Sequence, residues 1–174
     1  MANSQLTKAD ILRLFDLLNA ELARTNTAGE LHLVGGAVMC LAFGAREATK
    51  DVDALFEPAK AVREAAARVA FVAGVAPDWL NDAVKGFLGK RGDFDKFADL
   101  SHLQVFVAHP AYLLAMKCAA LRLGEEFHDL DDVRYLLRHL DIRTADAALA
   151  VVTQYFDESQ LKPKTRLILE SLFG

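Results

Sequence analysis

Two short apolar runs, Leu31–Val34 and Val52–Phe56, dominate the N-terminal half of the chain, and the first breaks off abruptly at Gly35-Gly36. Each run is too short for a helix and is bounded by turn-forming residues, the pattern of a strand. The stretch Ala37–Phe43 starts directly after the glycines and reads as a short helix, and Pro58 stops the second run. Strand, tight glycine turn, short helix and strand together demand a small sheet with helices packed against it. Upstream, Ile11, Leu14, Phe15, Leu18 and Leu22 recur at spacings of three and four, which predicts a helix from Thr7 with one buried face. Downstream, the Ala-rich stretch Ala59–Gly74 predicts another helix with Pro77 as its stop, and Asp78–Asp82 a further short helical piece.

Leu103–Val107 is a third strand, ended by His109-Pro110, a pair well placed to begin a helix. The segment Lys85–Asp99, with Gly86, Gly89 and Gly92, reads as a loop or an irregular hairpin limb. Beyond Pro110 the pattern is helical throughout, in the segments Ala111–Leu123, Leu130–Leu140, Thr144–Phe156 and Lys164–Phe173. The expected fold class is therefore α/β, in the α+β sense: a mixed sheet with an N-terminal helix, then a helical lobe. The expected boundaries are residues 1–109 and 110–174. At 174 residues and 53% hydrophobic, such a chain buries a core without disulfide or metal. Cys40 and Cys118, both in apolar helical runs, are expected as free buried thiols. A net charge of −4 argues against coating nucleic acid through bulk charge. No stretch approaches the ~20 apolar residues of a membrane span, and Met1–Asp10 lacks the features of a signal peptide. The expected location is the cytoplasm, away from any membrane.

The chemistry concentrates around the glycines. A Gly-Gly pair after a strand lets the backbone turn tightly and lets a phosphate approach the amides of the following helix. In Asp51-Val52-Asp53 the period of two sends both carboxylates to one face and Val52 to the other, toward the core. Carboxylates held this close repel one another, and a hard divalent cation such as Mg²⁺ relieves the repulsion. Elsewhere the signals are structural or sparse. Lys117 and Arg122, followed by Asp129, Asp131 and Asp132, read as an interhelical salt bridge, because charges in apolar surroundings must be paired. Trp79, in a run with Leu80 and Val84, reads as packing rather than base stacking. His128 and Asp132 have the four-residue spacing of a metal-ligand pair but no third ligand. The sequence contains no Walker-type phosphate loop, no zinc-type cysteine spacing and no recognisable nucleophile context.

Four segments together, Val34-Gly35-Gly36-Ala37, Arg46-x-x-Thr49-Lys50-Asp51-Val52-Asp53, Pro77-Asp78-Trp79-Leu80-Asn81-Asp82 and Leu113-Leu114-Ala115-Met116-Lys117, resemble the nucleotidyltransferase superfamily with its DNA polymerase beta-like fold. They look most like a branch of small bacterial nucleotidyltransferase-like proteins whose relatives include toxin–antitoxin nucleotidyltransferases. The likeness covers Leu31 to about Leu140. It implies that the amides around Gly35 and Gly36 hold the β- and γ-phosphates of a nucleoside triphosphate. It makes Asp51 and Asp53 the catalytic acids, binding one or two Mg²⁺ (or Mn²⁺) ions. Arg46, Thr49, Lys50 and Lys117 would be nucleotide-binding, with Asp129 and Asp132 orienting Lys117. The implied reaction transfers a nucleoside monophosphate to a hydroxyl of an RNA, a protein or a small molecule and releases pyrophosphate. Active members of that family usually carry a third acid on a neighbouring strand. Here Leu103–Val107 offers only Gln104, which cannot act as a base, and Asp99 on an adjacent limb is the candidate. The alternative is a catalytically silent module that binds nucleotide or a partner, such as a cognate toxin or antitoxin.

Overall fold

The computed structural model describes residues 5–83, 92–121 and 129–174. These form two compact units, 5–83 with 94–108, and 92–93 with 109–121 and 129–174. Mixed sheet and helices give the α/β class expected from the sequence.

In the first unit, β1 (Leu6–Thr7) leads into α1 (Lys8–Arg24) through a capping box. The Thr7 hydroxyl accepts from the Asp10 amide at 3.2 Å and the Asp10 carboxylate accepts from the Thr7 amide at 2.9 Å, so two backbone donors at the helix start are satisfied reciprocally. The elements β2 (Gly29–Val34), α2 (Gly36–Leu41), β3 (Ala48–Thr49), β4 (Val52–Glu57), α3 (Ala59–Ala73), β5 (Leu80–Asn81), β6 (Phe94–Asp99) and β7 (Leu103–Ala108) follow. Five strands form one sheet in the order β5-β4-β2-β7-β6; β4 is antiparallel to β2, and β7 is parallel to it. One face of this sheet carries Leu31, Leu33, Val52, Ala54, Leu103 and Val105, all buried. The helices α1 and α3 cover that face. A Cβ placed on Gly29 would come within 2.9 Å of Leu22 in α1 and 3.3 Å of Val62 in α3, so only glycine lets both helices sit this close to β2.

Two local expectations change, and a third is narrowed. Asp78–Asp82 is not helical: a turn leads into β5, which runs parallel to β4 with Val52 opposite Leu80 and Asp53 opposite Asn81. Periodicity cannot assign an apolar run as short as Trp79-Leu80; the open edge of β4 decides it. Val52 donates its amide to the Trp79 carbonyl at 2.6 Å, and the Trp79 indole donates to the Ala66 carbonyl in α3 at 3.0 Å. Trp79 is 1% exposed and is a packing residue. Second, Gly44–Lys50 reads as a plain connection but contains β3, which pairs with β1 in a separate two-stranded sheet, Leu6 opposite Thr49. In the segment Lys85–Asp99 the second of the two expected forms is found: residues 94–99 are the strand β6, an irregular hairpin limb antiparallel to β7 with its irregularity between Lys96 and Ala98. Gly86, Gly89, Arg122 and His128 lie outside the described residues.

The second unit contains α4 (Pro110–Ala119), α5 (Asp129–His139), α6 (Ala145–Tyr155) and α7 (Pro163–Phe173). The helix α4 begins with Pro110 at its first position, and the His109 ring nitrogen Nδ1 accepts from the Ala111 amide at 3.2 Å. Tyr155 of α6 packs its ring on Tyr112 at 5.1 Å and donates its hydroxyl to Asp93 at 3.1 Å. Cys118 is a free buried thiol, as is Cys40 in the first unit, and burial pushes the Cys118 thiol up to about 12. No helix among the described residues is long and apolar enough to cross a membrane.

The Lys117 ammonium is buried in this unit. It lies 2.8 Å from Asp132 Oδ2 and 3.3 Å from Asp129 Oδ1, joining α4 to α5, and all three side chains are buried. Removing the cation would take the ammonium away from two buried carboxylates, and breaking a buried pair costs about 3–5 kcal/mol in comparable sites. Lys117→Met should therefore lower the unfolding free energy, measured by urea titration, by an amount in that range; an unchanged free energy would mean that the triad does not support the α4–α5 packing.

Candidate functional site

The antiparallel register of β2 with β4 sets Val34 directly opposite Asp53. The Asp53 carboxylate therefore arrives at the point where β2 ends and the glycine turn begins. Gly35 has φ +73, a conformation side chains rarely adopt, and a Cβ there would stand 2.8 Å from Asp53 Oδ2. A Cβ on Gly36 would run into the Arg46 guanidinium and the Thr49 hydroxyl, the latter at 2.8 Å. The two missing side chains thus leave room for an acid on one side and for a cation and a hydroxyl on the other. The helix that follows, α2, has only six residues, so its dipole is small, and within its first turn the Val38 amide already donates to the Gly35 carbonyl at 3.2 Å.

Thr49 is fixed by the β1–β3 pairing, and its hydroxyl donates to the Asp51 carbonyl at 3.3 Å. Val52 is fully buried, whereas Asp51 and Asp53 on either side of it are half-buried. Burial first, and then the charges of Asp53 and Asp78, push the Asp51 carboxyl up to about 6. Lys50 and a hydrogen bond from Asn81 act against them and do not prevail. Gly35, Gly36, Arg46, Thr49, Lys50, Asp51 and Asp53 therefore gather at one end of the β2–β4 pair. Lys117 belongs to the second unit, where Asp129 and Asp132 account for the burial of its charge.

Two members of this neighbourhood carry no role in the sequence reading: Asp78, whose charge reaches Asp51, and Asn81, in register beside Asp53. The signal was present in the polar positions of Pro77–Asp82, but it becomes legible only once the segment is an edge strand on β4 rather than a helix. Asp99, expected as the candidate third acid, lies apart from this neighbourhood. Gln104 pairs with Glu30 at the start of β2, and Asp99 pairs with Gln104. Asp53 pairs with Val34 at the other end, four residues along the strand, or roughly 13 Å at ~3.3 Å per residue. Asp99 is also engaged, since Lys96 at 2.9 Å and Gln104 at 3.3 Å hold its carboxyl below the usual carboxylate range. It does not adjoin Asp53. Asp99 and Gln104 instead line an open depression of about 540 Å³ together with Glu30 and Glu57, at the far end of the sheet.

A pair of half-buried, mutually repelling carboxylates beside an accessible glycine turn suits a hard divalent cation. Mg²⁺ commonly takes one or two protein carboxylates and completes its shell with water and phosphate oxygens. Among the described residues no group of three or more His, Cys, Asp or Glu side chains could hold a metal by itself. Comparison with known protein families, with curated proteins and with solved structures finds no match.

The raised Asp51 pKa makes a signed prediction. A carboxyl whose folded pKa lies above its unfolded value of about 3.9 destabilises the fold when ionised. That penalty is full well above pH 6 and fades as the pH falls through about 6 toward 4. Asp51→Asn should therefore raise the unfolding free energy at pH 8 by on the order of 1–3 kcal/mol, with the gain shrinking toward zero near pH 4. Denaturant titrations of both proteins at several pH values check it; a gain independent of pH would rule out the proposed strain on Asp51.

Proposed function

We propose that this chain is a Mg²⁺-dependent nucleotidyltransferase, transferring a nucleoside monophosphate from a nucleoside triphosphate to a hydroxyl of an RNA, a protein or a small molecule. The observation that carries the reading is the Asp53 carboxylate lying against Gly35, with Asp51 beside it and Arg46 and Thr49 against Gly36. Anionic oxygens for a metal and donors for phosphate thus meet at one turn. When bound, the metal would neutralise phosphate charge and polarise the reacting phosphorus.

The chain's own groups would do the rest. The bare backbone at Gly35 and Gly36 lets phosphate oxygens reach the first amides of α2. Arg46 offers a planar set of donors that matches a phosphate and Lys50 an exposed point charge next to Asp51, while the buried Thr49 hydroxyl, donating to the Asp51 carbonyl, would fix the backbone beside them. In the transfer, the acceptor oxygen forms a bond to the α-phosphorus while the bond to the pyrophosphate oxygen breaks, and the acceptor gives up its proton. Fixed charges aimed at the transferring phosphoryl group supply the rate through positioning and electrostatics.

A second reading is favoured by one observation. Neither residue directly beside Asp53 on the adjoining strands is an acid: Val34 stands on β2 and Asn81 on β5. A protein that binds nucleotide or a partner without turnover, such as one component of a toxin–antitoxin pair, would have this arrangement.

Incubation with labelled nucleoside triphosphates, Mg²⁺ or Mn²⁺ and candidate acceptors separates the two. Transfer should fall by about 100-fold or more in Asp51→Ala and in Asp53→Ala, the scale of losing one charge contact in a transition state. Equal transfer by wild type and both variants would remove the first reading. Calorimetric nucleotide binding without transfer to any acceptor, or tight binding of the product of an adjacent gene without nucleotide affinity, would support the second.

A further inference from the structure

We infer that His32 and Leu55 form a stacking place for the base of the bound nucleotide, so that the nucleotide lies along β4 with its phosphates at the glycine turn; the inference rests on the nucleotide-binding reading above. Alternation along β4 puts Asp53, Leu55 and Glu57 on the sheet face opposite the one covered by α1 and α3. The pairings of β2 with its neighbours add His32 and Glu30 to the same face, with His32 directly between Leu55 and Phe106.

The rings define where a base fits. His32 and Phe106 are stacked, with centroids 4.7 Å apart and planes 7° from parallel. That separation is the spacing of adjacent strands, so each ring stands upright over its own strand with its faces turned along the hydrogen-bond direction. Phe94 of β6 meets the His32 ring in a T-shaped contact, centroids 4.9 Å apart at 80°, and fixes its orientation. Phe106 takes one face of the imidazole, and the other is turned toward β4. The side chain opposite it there is Leu55, which is aliphatic and half-buried, as His32 is. A flat heterocycle set over Leu55 and against His32 extends the stack by one ring, a contact that any base can make.

The position along the strand suits a nucleotide. Leu55 is two residues from Asp53, roughly 7 Å at ~3.3 Å per residue. A sugar bridges such an interval between a base and its phosphate. Two residues beyond Leu55 stands Glu57, exposed and directly opposite the exposed Glu30. Carboxylates at that end repel a phosphate, whereas Arg46 and Lys50 stand at the other. Charge thus sets the direction of the ligand, with phosphates toward Gly35 and the base over Leu55. An extended nucleic-acid strand, with a further phosphate beyond the base, does not match that gradient.

Calorimetric titration of the full chain in Mg²⁺ with each of the four ribonucleoside triphosphates, and with inorganic tripolyphosphate, which has no base, tests the inference apart from any transfer. Wild type should bind at least one nucleotide about 10-fold more tightly than tripolyphosphate. His32→Leu should lose that advantage while keeping wild-type affinity for tripolyphosphate, and His32→Phe, which restores a ring, should regain it. Equal affinity of wild type for tripolyphosphate and all four nucleotides would overturn the stacking place and leave the phosphate site standing. An undiminished preference in His32→Leu would do the same. Loss of tripolyphosphate affinity along with nucleotide affinity in both variants would make His32 structural and overturn the inference equally. If His32→Leu weakens only the binding of a short oligoribonucleotide added with tripolyphosphate, the face holds an acceptor base and the inference fails. No binding of tripolyphosphate or of any nucleotide by wild type would remove the nucleotide reading and this inference with it.

Discussion

The register of β4 on β2 is the constraint from which the site follows. With Val34 opposite Asp53, an acid that belongs to one strand is delivered to the turn that ends the other. A slip of one residue would turn Asp53 toward the covered face, where Ala54 and Val52 now sit buried, and bring Val52 out of the core. Burial of alternate apolar residues thus fixes the register, and the register fixes the acids. Glycine at position 35 is the complementary requirement, because any side chain there would occupy the space of the Asp53 carboxylate.

Around this pair the chain adds support from both directions. The β1–β3 ladder ties the start of the chain to Thr49 and thereby sets the residues that approach Gly36. The β5 edge, anchored through Trp79 and Asp82 to α3, brings Asn81 and Asp78 to Asp51. Neither device is large: β1, β3 and β5 have two residues each. Strands this short derive little stability from their own hydrogen bonds. They persist because their apolar members, Leu6, Leu80 and the adjoining Trp79, are buried.

Long periodic elements were readable from the sequence for the same physical reason. The stripe of Ile11, Leu14, Phe15, Leu18 and Leu22 in α1 is enforced by burial over 17 residues, and the alternation in β2, β4 and β7 by a covered sheet face. The grouping of Asp51 and Asp53 on one side of Val52 was legible because the rule behind it is local. What was not legible depends on pairing between distant segments. Asp78–Asp82 carries too few apolar residues to display a period, and its strand character comes from the free edge of β4. Asp99 looked like a neighbour of the acids because β6 adjoins β7; the parallel alignment of β7 with β2, which sequence pattern does not encode, places it at the far end.

The two pairs of acids in this protein solve the same electrostatic problem differently. Asp129 and Asp132 are buried with a lysine ammonium in contact with both, so the compensating charge is covalently part of the fold and its solvation is never needed again. At Asp51, burial and the fields of Asp53 and Asp78 outweigh the exposed Lys50, and the carboxyl is held near protonation at about 6. A carboxyl that the fold leaves under-compensated lowers stability when ionised. Packing does not require this, since the neighbouring Val52 and Trp79 already close the core. The deficit is what a diffusible cation, or a cation-bearing ligand, would make good, and the accessible glycine turn next to it is where such a ligand could bring phosphate oxygens of its own. On the proposed reading, stability is given up at an end of the sheet where a tight turn, two acids and a guanidinium converge, and that coincidence is the physical basis of the proposal.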